Sequence, residues 1–459
     1  MPRPQFNGVY GIARSILGLA LGFYFRRIER FHAERVPLRG PVLFTSNHPN
    51  SLTDSFVIGA SIPRRVNFVA TVQLFRFAPL KWFLTRCGVI PINRIKDDPR
   101  SMRTVADTFE ACFRVLETGE AVGIFPEGIT YDDDQLKELK SGAARMALEL
   151  EHRHGGKLGL KIVAVGLTYS AKEIYRSDVL ANFGEPLWVS DFLAGYTEHR
   201  KDCIVRLTAE IESRLKALIT HLPKLEHARV IAAVKRLYLD RLLLGSSVVH
   251  EPLSPRAEEL LLTQRIIEVV DQVYEQEPER AAAFSAKLAL YERGLERLHL
   301  ADEQLKLSPK QPRFLAKSFV WTVLALIGLP IALYGWMHRL LPYTIVWWAG
   351  RRFTESTKRK AQASTAMIAA GIVAFGLCFV LYVLIFHRFF GWPASFWYAL
   401  SLPAASLLAH YYVREAGKRL LDARSAVLLL RAPGVARRLI TLRRELVAEI
   451  EKVRAQPVP

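Results

Sequence analysis

Cysteine is scarce in this chain of 459 residues, which contains only Cys87, Cys112, Cys203 and Cys378. They form no Cys-x-x-Cys pair and lie near no His-rich cluster, so we expect neither disulfides nor structural zinc. Acidic residues are outnumbered, because 44 Asp and Glu face 63 Lys and Arg, and the formal net charge is +19. With 50% hydrophobic residues, this basic chain favours an anionic bilayer or a phosphorylated, acylated substrate over nucleic acid.

Charged side chains are missing from three long stretches, residues 318–337, 361–386 and 389–413. Each is long enough to cross a membrane as a helix, so the sequence predicts C-terminal transmembrane helices; buried helices of a soluble protein are the alternative. Only His387 and Arg388 separate the last two stretches, which predicts a hairpin over 361–413. Basic residues flank it on both sides, and the positive-inside rule predicts that both flanks are cytoplasmic.

The first charge-free stretch has basic residues before and after it, which conflicts with a single crossing. We therefore expect it either to re-enter the membrane, bent at Pro330, or to form a hairpin with residues 340–350.

The rest of the chain divides into four segments around the membrane region 313–415. Residues 1–28 predict an uncleaved interfacial helix, because Arg14 interrupts their apolar run. Residues 29–200 alternate short β-branched runs with helical stretches, the pattern of an α/β layered domain. Residues 201–312 predict amphipathic helices without an assigned role, and residues 416–459 predict a basic helical tail. The predicted strands are residues 42–45, 66–70, 89–92, 121–125 and 161–167.

His48 and Asp54 belong to the motif SNHPNSLTD, residues 46–54, directly after a predicted strand. A neutral imidazole can take a proton from a hydroxyl, and a carboxylate at its other ring nitrogen fixes the tautomer. A structural role is the alternative, because Ser51-x-x-Asp54 is also a capping-box pattern. The spacing by itself leaves both interpretations open.

Three further motifs accompany predicted strands. The motif GVIPINR, residues 88–94, ends in Arg94, which could bind phosphate or be an ordinary strand-end charge. The motif FPEG, residues 125–128, presents Glu127 at the carboxyl edge of the sheet, where ligand sites of α/β proteins gather, but it could also be a plain turn. The motif VAVGL, residues 163–167, has the composition of a buried core strand.

In this order, the four motifs resemble those of the glycerolipid acyltransferase superfamily, which includes 1-acylglycerol-3-phosphate and glycerol-3-phosphate acyltransferases. The resemblance covers about residues 25–190. It implies that His48 is the general base, Asp54 its partner and Arg94 a phosphate ligand. It also implies that Glu127 and Gly128 are substrate-site residues. The fold class it implies is an α/β layered acyltransferase domain, followed here by the helical region and the C-terminal transmembrane helices.

The sequence departs from the commoner family pattern in three places. Five residues rather than four separate His48 and Asp54, a variant similar to the Asn-His-Pro-Asn branch of glycerol-3-phosphate acyltransferases. Ala164 stands where the fourth motif usually has Pro. The residues 129–131 are ITY instead of the frequent Thr-Arg-Ser, and we expect Lys140 to replace the missing basic residue.

The resemblance implies transfer of a fatty acyl group from acyl-CoA or acyl carrier protein to a hydroxyl of glycerol-3-phosphate in phospholipid biosynthesis. The alternative acceptors are 1-acylglycerol-3-phosphate and another lysolipid. We expect direct transfer without cofactor or metal, and without an acyl-enzyme, because Cys87 has no evident base beside it.

The implied partners are membrane lipids, the acyl thioester donor and the glycerophosphate acceptor, with no nucleic acid. We expect an integral membrane protein whose catalytic domain lies on the cytoplasmic face. Two other classes stay open: a membrane scaffold that retains an inactive acyltransferase fold, and a metal-dependent hydrolase that uses His48 and Asp54 as ligands.

Overall fold

The computed structural model of the chain describes residues 8–76, 78–92, 102–130, 135–172, 174–245, 254–305, 312–357 and 363–455. The chain divides into two compact units. The first unit comprises Met1–Pro223, Pro252–Leu260 and Gly350–Ile368. The second unit comprises Lys224–Glu251, Leu261–Ala349 and Ala369–Pro459.

Eight strands form one mixed sheet in the first unit. They are β1 (Arg27–Phe31), β2 (Val42–Ser46), β3 (Val66–Thr71), β4 (Ile90–Ile92), β5 (Ala121–Ile124), β6 (Lys161–Tyr169), β7 (Asp178–Phe183) and β8 (Leu187–Trp188). Their order is β1-β7-β6-β2-β5-β3-β4, with β8 beside β6. Strands β6, β2, β5, β3 and β4 are parallel, whereas β7 and β8 pair with β6 in the antiparallel sense. The five predicted strands coincide with β2 to β6, which confirms the predicted α/β layered domain.

Helices occupy most of the remaining described residues. They are α1 (Gly8–Tyr24), α2 (Leu52–Ser61), α3 (Ala78–Arg86), α4 (Met102–Glu117), α5 (Gly142–Arg153), α6 (Arg200–Leu218), α7 (Ala228–Gly245), α8 (Pro255–Gln276), α9 (Pro278–Leu298), α10 (Asp302–Leu305), α11 (Pro312–Thr357), α12 (Ala363–Arg431) and α13 (Pro433–Ala455). The predicted helical region after the α/β domain is thus confirmed.

The sheet is covered by helices on both faces. Successive residues of a strand point to opposite faces, so Leu43 of β2 packs with α4, α5 and α6, whereas Val42 and Phe44 pack with α1 and α2. This double cover explains why β2 and β7 are buried along their whole length.

Helix α6 belongs to the first unit. Its buried side chains, Cys203, Leu207, Ile211 and Leu215, recur every four residues and join the core beside the sheet. The first unit therefore continues to Pro223, past the boundary at residue 200 that the sequence predicts.

Helices α11 and α12 contain most of the three charge-free stretches. Helix α11 continues through Pro330 and Pro342, so the predicted re-entrant bend or second hairpin is wrong. Helix α12 is interrupted at Gly391, where φ is 73° and ψ is 173°, three residues after Arg388. Within the described ranges, Ala366–Leu429 is the one segment long and apolar enough to cross a membrane.

The two ends of the predicted hairpin 361–413 do not lie side by side. A Cβ on Gly371 would lie 3.9 Å from Val346, whereas the Tyr412 hydroxyl donates a 3.0 Å hydrogen bond to the carbonyl oxygen of Ala325. Because α11 is a continuous helix, Val346 and Ala325 are separated by about 30 Å along its axis. The segment thus packs along α11 on both sides of its break, which differs from the simple hairpin that the sequence predicts.

Gly166 of the fourth motif allows α6 to approach the sheet. A Cβ at this position would lie 2.4 Å from the backbone carbonyl oxygen of Leu218, the last residue of α6. We expect Gly166→Ala to lower the free energy of unfolding by about 1–3 kcal/mol, because a backbone oxygen in a packed helix cannot retreat. Thermal unfolding of the purified chain in detergent measures this.

The matched control for that substitution is Gly59→Ala in α2. A Cβ there would lie 3.9 Å from the Phe68 ring, an ordinary contact, and alanine favours a helix by up to about 1 kcal/mol. Equal unfolding midpoints for the two variants would contradict the close approach at Gly166.

Candidate active site

The first and third motifs meet at the carboxyl edge of the sheet. Strands β2 and β5 are parallel neighbours, so residues 46–54 and 125–128 leave the sheet at the same edge. Helix α2 begins directly after Ser51, whose φ of 52° lies in the left-handed region. A residue other than glycine held there costs about 1–3 kcal/mol, and such residues cluster at functional sites.

His48 and Asp54 form a hydrogen-bonded pair, as the sequence predicts. His48 Nδ1 lies 2.9 Å from Asp54 Oδ2. The Asp54 side chain is 0% exposed, whereas that of His48 is 13% exposed and therefore accessible from outside. Because the carboxylate accepts the proton on Nδ1, the free lone pair of the ring is on Nε2.

Asp54 does not act as a capping-box residue. Its Oδ2 accepts the backbone N–H of Asn50 at 2.8 Å, and Ser51 makes no side-chain cap hydrogen bond. Its Oδ1 accepts the hydroxyl of Tyr169 at 2.7 Å. Three donors therefore hold the carboxylate with one oxygen against the imidazole of His48.

Tyr169, the last residue of β6, is a site residue that the sequence analysis misses. Burial raises its pKa well above the usual value, and the negative charge of Asp54 raises it further. The hydroxyl therefore stays protonated and donates to Asp54. The available signal was the strand period, because Tyr169 lies two residues beyond Leu167 on the face of β6 that packs toward α2.

Glu127 joins the first motif to the segment after the third motif. Its Oε1 accepts the backbone N–H of His48 at 2.9 Å, and its Oε2 accepts that of Lys137 at 3.3 Å. The residue is 6% exposed, and burial raises the pKa of its carboxyl, although the two N–H groups partly offset this. These contacts make Glu127 a positioning residue for the His48 backbone.

Gly128 and Lys140 lie next to each other. Gly128 has a φ of 76°, and a Cβ at this position would lie 2.5 Å from Lys140 Nζ. The Lys140 N–H donates a 2.9 Å hydrogen bond to the carbonyl oxygen of Pro126, which holds the lysine beside the third motif. An exposed ammonium group thus lies beside the site where the sequence predicts a replacement cation. Arg94, the predicted phosphate ligand, lies outside the described residues.

Two further residues that sequence reasoning missed hold the first motif in place. The Asn47 amide exchanges two hydrogen bonds with the backbone of Leu167, at 2.8 and 2.9 Å. The Phe125 ring stacks on His48 with a centroid distance of 3.9 Å and an angle of 14°. Both residues lie within motifs that the sequence analysis identifies, which was the available signal for them. Only the fold places Leu167 opposite Asn47.

Neither a reactive thiol nor a metal-binding cluster is found among the described residues. The four cysteines are free thiols, and burial raises the pKa of Cys87, which lies nearest the second motif. A higher thiol pKa lowers the fraction of nucleophilic thiolate. Among the described residues, no group of three or more His, Cys, Asp or Glu is placed to hold a metal ion.

The fold and the paired His48 and Asp54 define the class of domain: an α/β layer with a hydrogen-bonded His–Asp pair at the carboxyl edge of the sheet. Residues 27–168 match the family model described as Acyltransferase.

Several acyltransferases of known sequence are similar to this chain. An acyltransferase of Schizosaccharomyces pombe, itself named as uncharacterized, is 22% identical over 66% of this chain and 56% of its own length. Glycerol-3-phosphate O-acyltransferase 2 of Saccharomyces cerevisiae is 31% identical over 29% of this chain and 18% of its own length. The 1-acyl-sn-glycerol-3-phosphate acyltransferase of Bacillus subtilis is 26% identical over 43% of this chain and 91% of its own length. This chain therefore spans little more than half of the first relative and less than a fifth of the second.

Removing the Tyr169 hydroxyl tests how the Asp54 carboxylate is held. We expect Tyr169→Phe to lower the free energy of unfolding by about 1–3 kcal/mol, because Asp54 Oδ1 would stay buried without this donor. Chemical denaturation of the full chain, followed by fluorescence, measures the loss.

Tyr196→Phe is the matched control, because the Tyr196 hydroxyl donates a 3.3 Å hydrogen bond to Glu149. The Glu149 side chain is 25% exposed, so water can replace that donor and the loss should be smaller. A larger loss for Tyr196→Phe would contradict the importance of the Tyr169 hydrogen bond.

Proposed function

We propose that the chain transfers a fatty acyl group from an acyl thioester, acyl-CoA or acyl carrier protein, to a hydroxyl of glycerol-3-phosphate. The observation that carries this proposal is the 2.9 Å pair of His48 and Asp54 within a domain of the acyltransferase family. The pair supplies a base whose orientation is fixed and whose Nε2 is the proton acceptor.

The proposed reaction is a direct transfer. His48 Nε2 removes the proton of the acceptor hydroxyl while the hydroxyl oxygen attacks the thioester carbonyl carbon. The C–O bond forms, the C–S bond then breaks, and the imidazolium returns the proton to the leaving thiolate. Asp54 stabilises the imidazolium, and backbone N–H groups stabilise the oxyanion. The products are an acyl ester and a free thiol, and the reaction uses no cofactor and no metal.

Positive charge beside the third motif suits a phosphorylated acceptor. We propose that Lys140 binds the acceptor phosphate beside Gly128, whose lack of a side chain leaves room for the ammonium group. Arg94 remains our second proposed phosphate ligand, on the strength of the motif alone. Glu127 then acts through the backbone of His48 rather than on the substrate.

The choice of glycerol-3-phosphate rests on the first motif. Five residues separate His48 and Asp54, and the pair still closes to 2.9 Å. This variant resembles the glycerol-3-phosphate branch, and the 31% identical relative of Saccharomyces cerevisiae is a glycerol-3-phosphate O-acyltransferase. The second candidate acceptor is 1-acylglycerol-3-phosphate. The similarity to the Bacillus subtilis 1-acyl-sn-glycerol-3-phosphate acyltransferase, which extends over 91% of that enzyme's length, supports this candidate.

Exposed apolar surface supports a membrane location. Many large apolar side chains of α11 and α12 are more than half exposed, among them Leu326, Leu377, Phe389, Trp392 and Trp397. So many exposed large apolar side chains on two helices indicate a membrane or a protein partner. We propose an integral membrane protein whose catalytic domain lies on the cytoplasmic face, because the net charge of +19 favours the anionic leaflet there.

Acyl transfer by the detergent-solubilised chain tests the proposal. Labelled glycerol-3-phosphate and 1-acylglycerol-3-phosphate are offered separately, each with acyl-CoA. We expect product from glycerol-3-phosphate, and we expect His48→Ala to lower the rate about 10²–10⁴-fold, the usual contribution of a general base.

His199→Ala is the matched control, because His199 is exposed at the start of α6 in the same unit, and its activity should equal that of the wild type. Product from the lysolipid alone would transfer the proposal to the second candidate. Product that is indifferent to His48 would overturn the mechanism, and no product from either acceptor would favour the inactive scaffold.

Replacing Lys140 tests the phosphate site separately. We expect Lys140→Ala to raise KM for the phosphorylated acceptor about 10-fold with little change in kcat, because a charge-assisted hydrogen bond contributes about 1.5–3 kcal/mol. Initial-rate kinetics against acceptor concentration measure both constants. Lys157→Ala, also exposed in the same unit, is the control, and an unchanged KM for Lys140→Ala would show the assignment to be wrong.

A further inference from the structure

Helix α3 exposes apolar side chains and has no fully buried residue. None of its nine residues is buried, although Leu80, Trp82, Phe83 and Leu84 are all large and apolar. Leu80 is 36% exposed and Trp82 is 56% exposed. Phe83 and Leu84 are partly buried, whereas Leu80 and Trp82 gain little from the hydrophobic effect within this fold, so these two side chains indicate a partner.

Helix α1 contacts α3 and presents a second apolar stripe. Ile12, Ile16 and Leu19 recur at helical spacing and are 64%, 48% and 76% exposed. The opposite side of α1 buries Leu21 and Tyr24. Helix α1 is therefore apolar on both sides, and the fold covers only one of them. We define the α1–α3 face as the exposed side chains Ile12, Ile16, Leu19, Leu80 and Trp82.

The two helices of this face, and the residues next to them in sequence, carry charge of one sign. Neither residues 1–28 nor residues 55–96 contain Asp or Glu, and these two ranges include both helices. The exposed basic residues on or beside α3 are Arg76, Lys81 and Arg86, and the Arg86 guanidinium lies 5.6 Å from the centroid of the Trp82 ring. An exposed indole beside apolar residues and cations, on helices that contain no carboxylate, is typical of a surface that lies on an anionic bilayer.

The α3 end of this face lies at the same sheet edge as the candidate active site. Strand β3 leads through the turn Val72–Phe75 into α3, and β3 is parallel to β5, which is parallel to β2. Helix α3, His48 and Glu127 therefore all follow strands at the carboxyl edge. A bilayer against α3 brings the accessible imidazole of His48 close to the level of lipid headgroups.

We propose that the α1–α3 face docks on an anionic bilayer surface, with Trp82 in the interface and Lys81 and Arg86 against lipid phosphates. Helix α3 is then a membrane contact in its own right, separate from the apolar helices α11 and α12. Its consequence for catalysis rests on the proposed function: an acylated molecule reaches His48 from the bilayer surface without leaving the lipid phase entirely. The docking itself requires no turnover.

Site-directed fluorescence of the full chain tests the docking. The chain is reconstituted in vesicles of equal parts phosphatidylcholine and phosphatidylglycerol, with Cys87→Ser to remove the partly exposed native thiol. A nitrobenzoxadiazole label is attached at Trp82→Cys, and for comparison at Glu198→Cys, an exposed loop position of the same unit. We expect nitroxide-bearing lipids to quench the label at 82 more than aqueous iodide does, and the reverse at 198.

Two changes test the electrostatic part of the proposal. Vesicles of phosphatidylcholine alone should shift the label at 82 toward quenching by iodide. In the anionic vesicles, Lys81→Gln and Arg86→Gln should each lower the docked-to-undocked ratio roughly fivefold, the effect of about one basic residue near an anionic surface. Lys157→Gln, on an exposed loop elsewhere in the first unit, is the matched control and should leave the ratio unchanged.

Labels at 82 and 198 that respond alike to both quenchers would overturn the proposal. Equal insertion at 82 with and without phosphatidylglycerol would overturn the assignment of Lys81 and Arg86 to lipid phosphates. Because quenching needs no reaction, docking without acyl transfer would remove the proposed function and leave this inference intact. Acyl transfer without lipid quenching at 82 would overturn the docking inference and leave the proposed function intact.

Discussion

The buried carboxylate of Asp54 is the group on which the candidate site depends. An ion with 0% exposure is costly unless hydrogen bonds replace its hydration. Three donors from different parts of the chain do so: the imidazole of His48, the backbone of Asn50 and the hydroxyl of Tyr169. The loop after β2, the start of α2 and the end of β6 are therefore joined at one anion, and the orientation of His48 follows from their arrangement.

A second buried carboxylate supports the same loop from the other side. Glu127 accepts backbone N–H groups of His48 and Lys137, so the loop after β2 is held by a residue that follows β5. The two carboxylates thus have different tasks, since Asp54 contacts the imidazole and Glu127 accepts hydrogen bonds from backbone N–H groups. The stacking of Phe125 on the His48 ring adds a third constraint from the same motif. A site held in this way is organised before any substrate binds, which is the condition for effective acid–base catalysis.

The surroundings of the site fit the proposed membrane location. The carboxyl edge of the sheet carries His48 and leads into α3, whose apolar and basic side chains are exposed. Acceptors of the proposed reaction combine a phosphate with, in one candidate, an acyl chain. A polar site beside an apolar, basic surface meets both requirements, because the phosphate can reach Lys140 while hydrocarbon stays near the bilayer.

Local sequence patterns determined the strands β2 to β6, the amphipathic helices and the apolar stretches, since each depends on a period of two or 3.6 residues or on length. They also identified His48, Asp54, Glu127 and Gly128 as candidate site residues, because these lie within short motifs, and Lys140 as a replacement for the basic residue missing after the third motif. The continuity of α11 through Pro330 and the course of α12 along it were outside their reach, because helix packing depends on contacts between distant residues.

Only the tertiary structure decided what these residues contact. Tyr169 and Asp54 are 115 positions apart, and no local pattern relates them until β6 lies beside β2. Likewise, the sequence predicts that Glu127 contacts the substrate. Only the fold shows that its oxygens contact backbone N–H groups. The physical reason is that a hydrogen bond depends on distances of about 3 Å between atoms, which the packing of the sheet sets, whereas residue type and spacing set only which atoms are available.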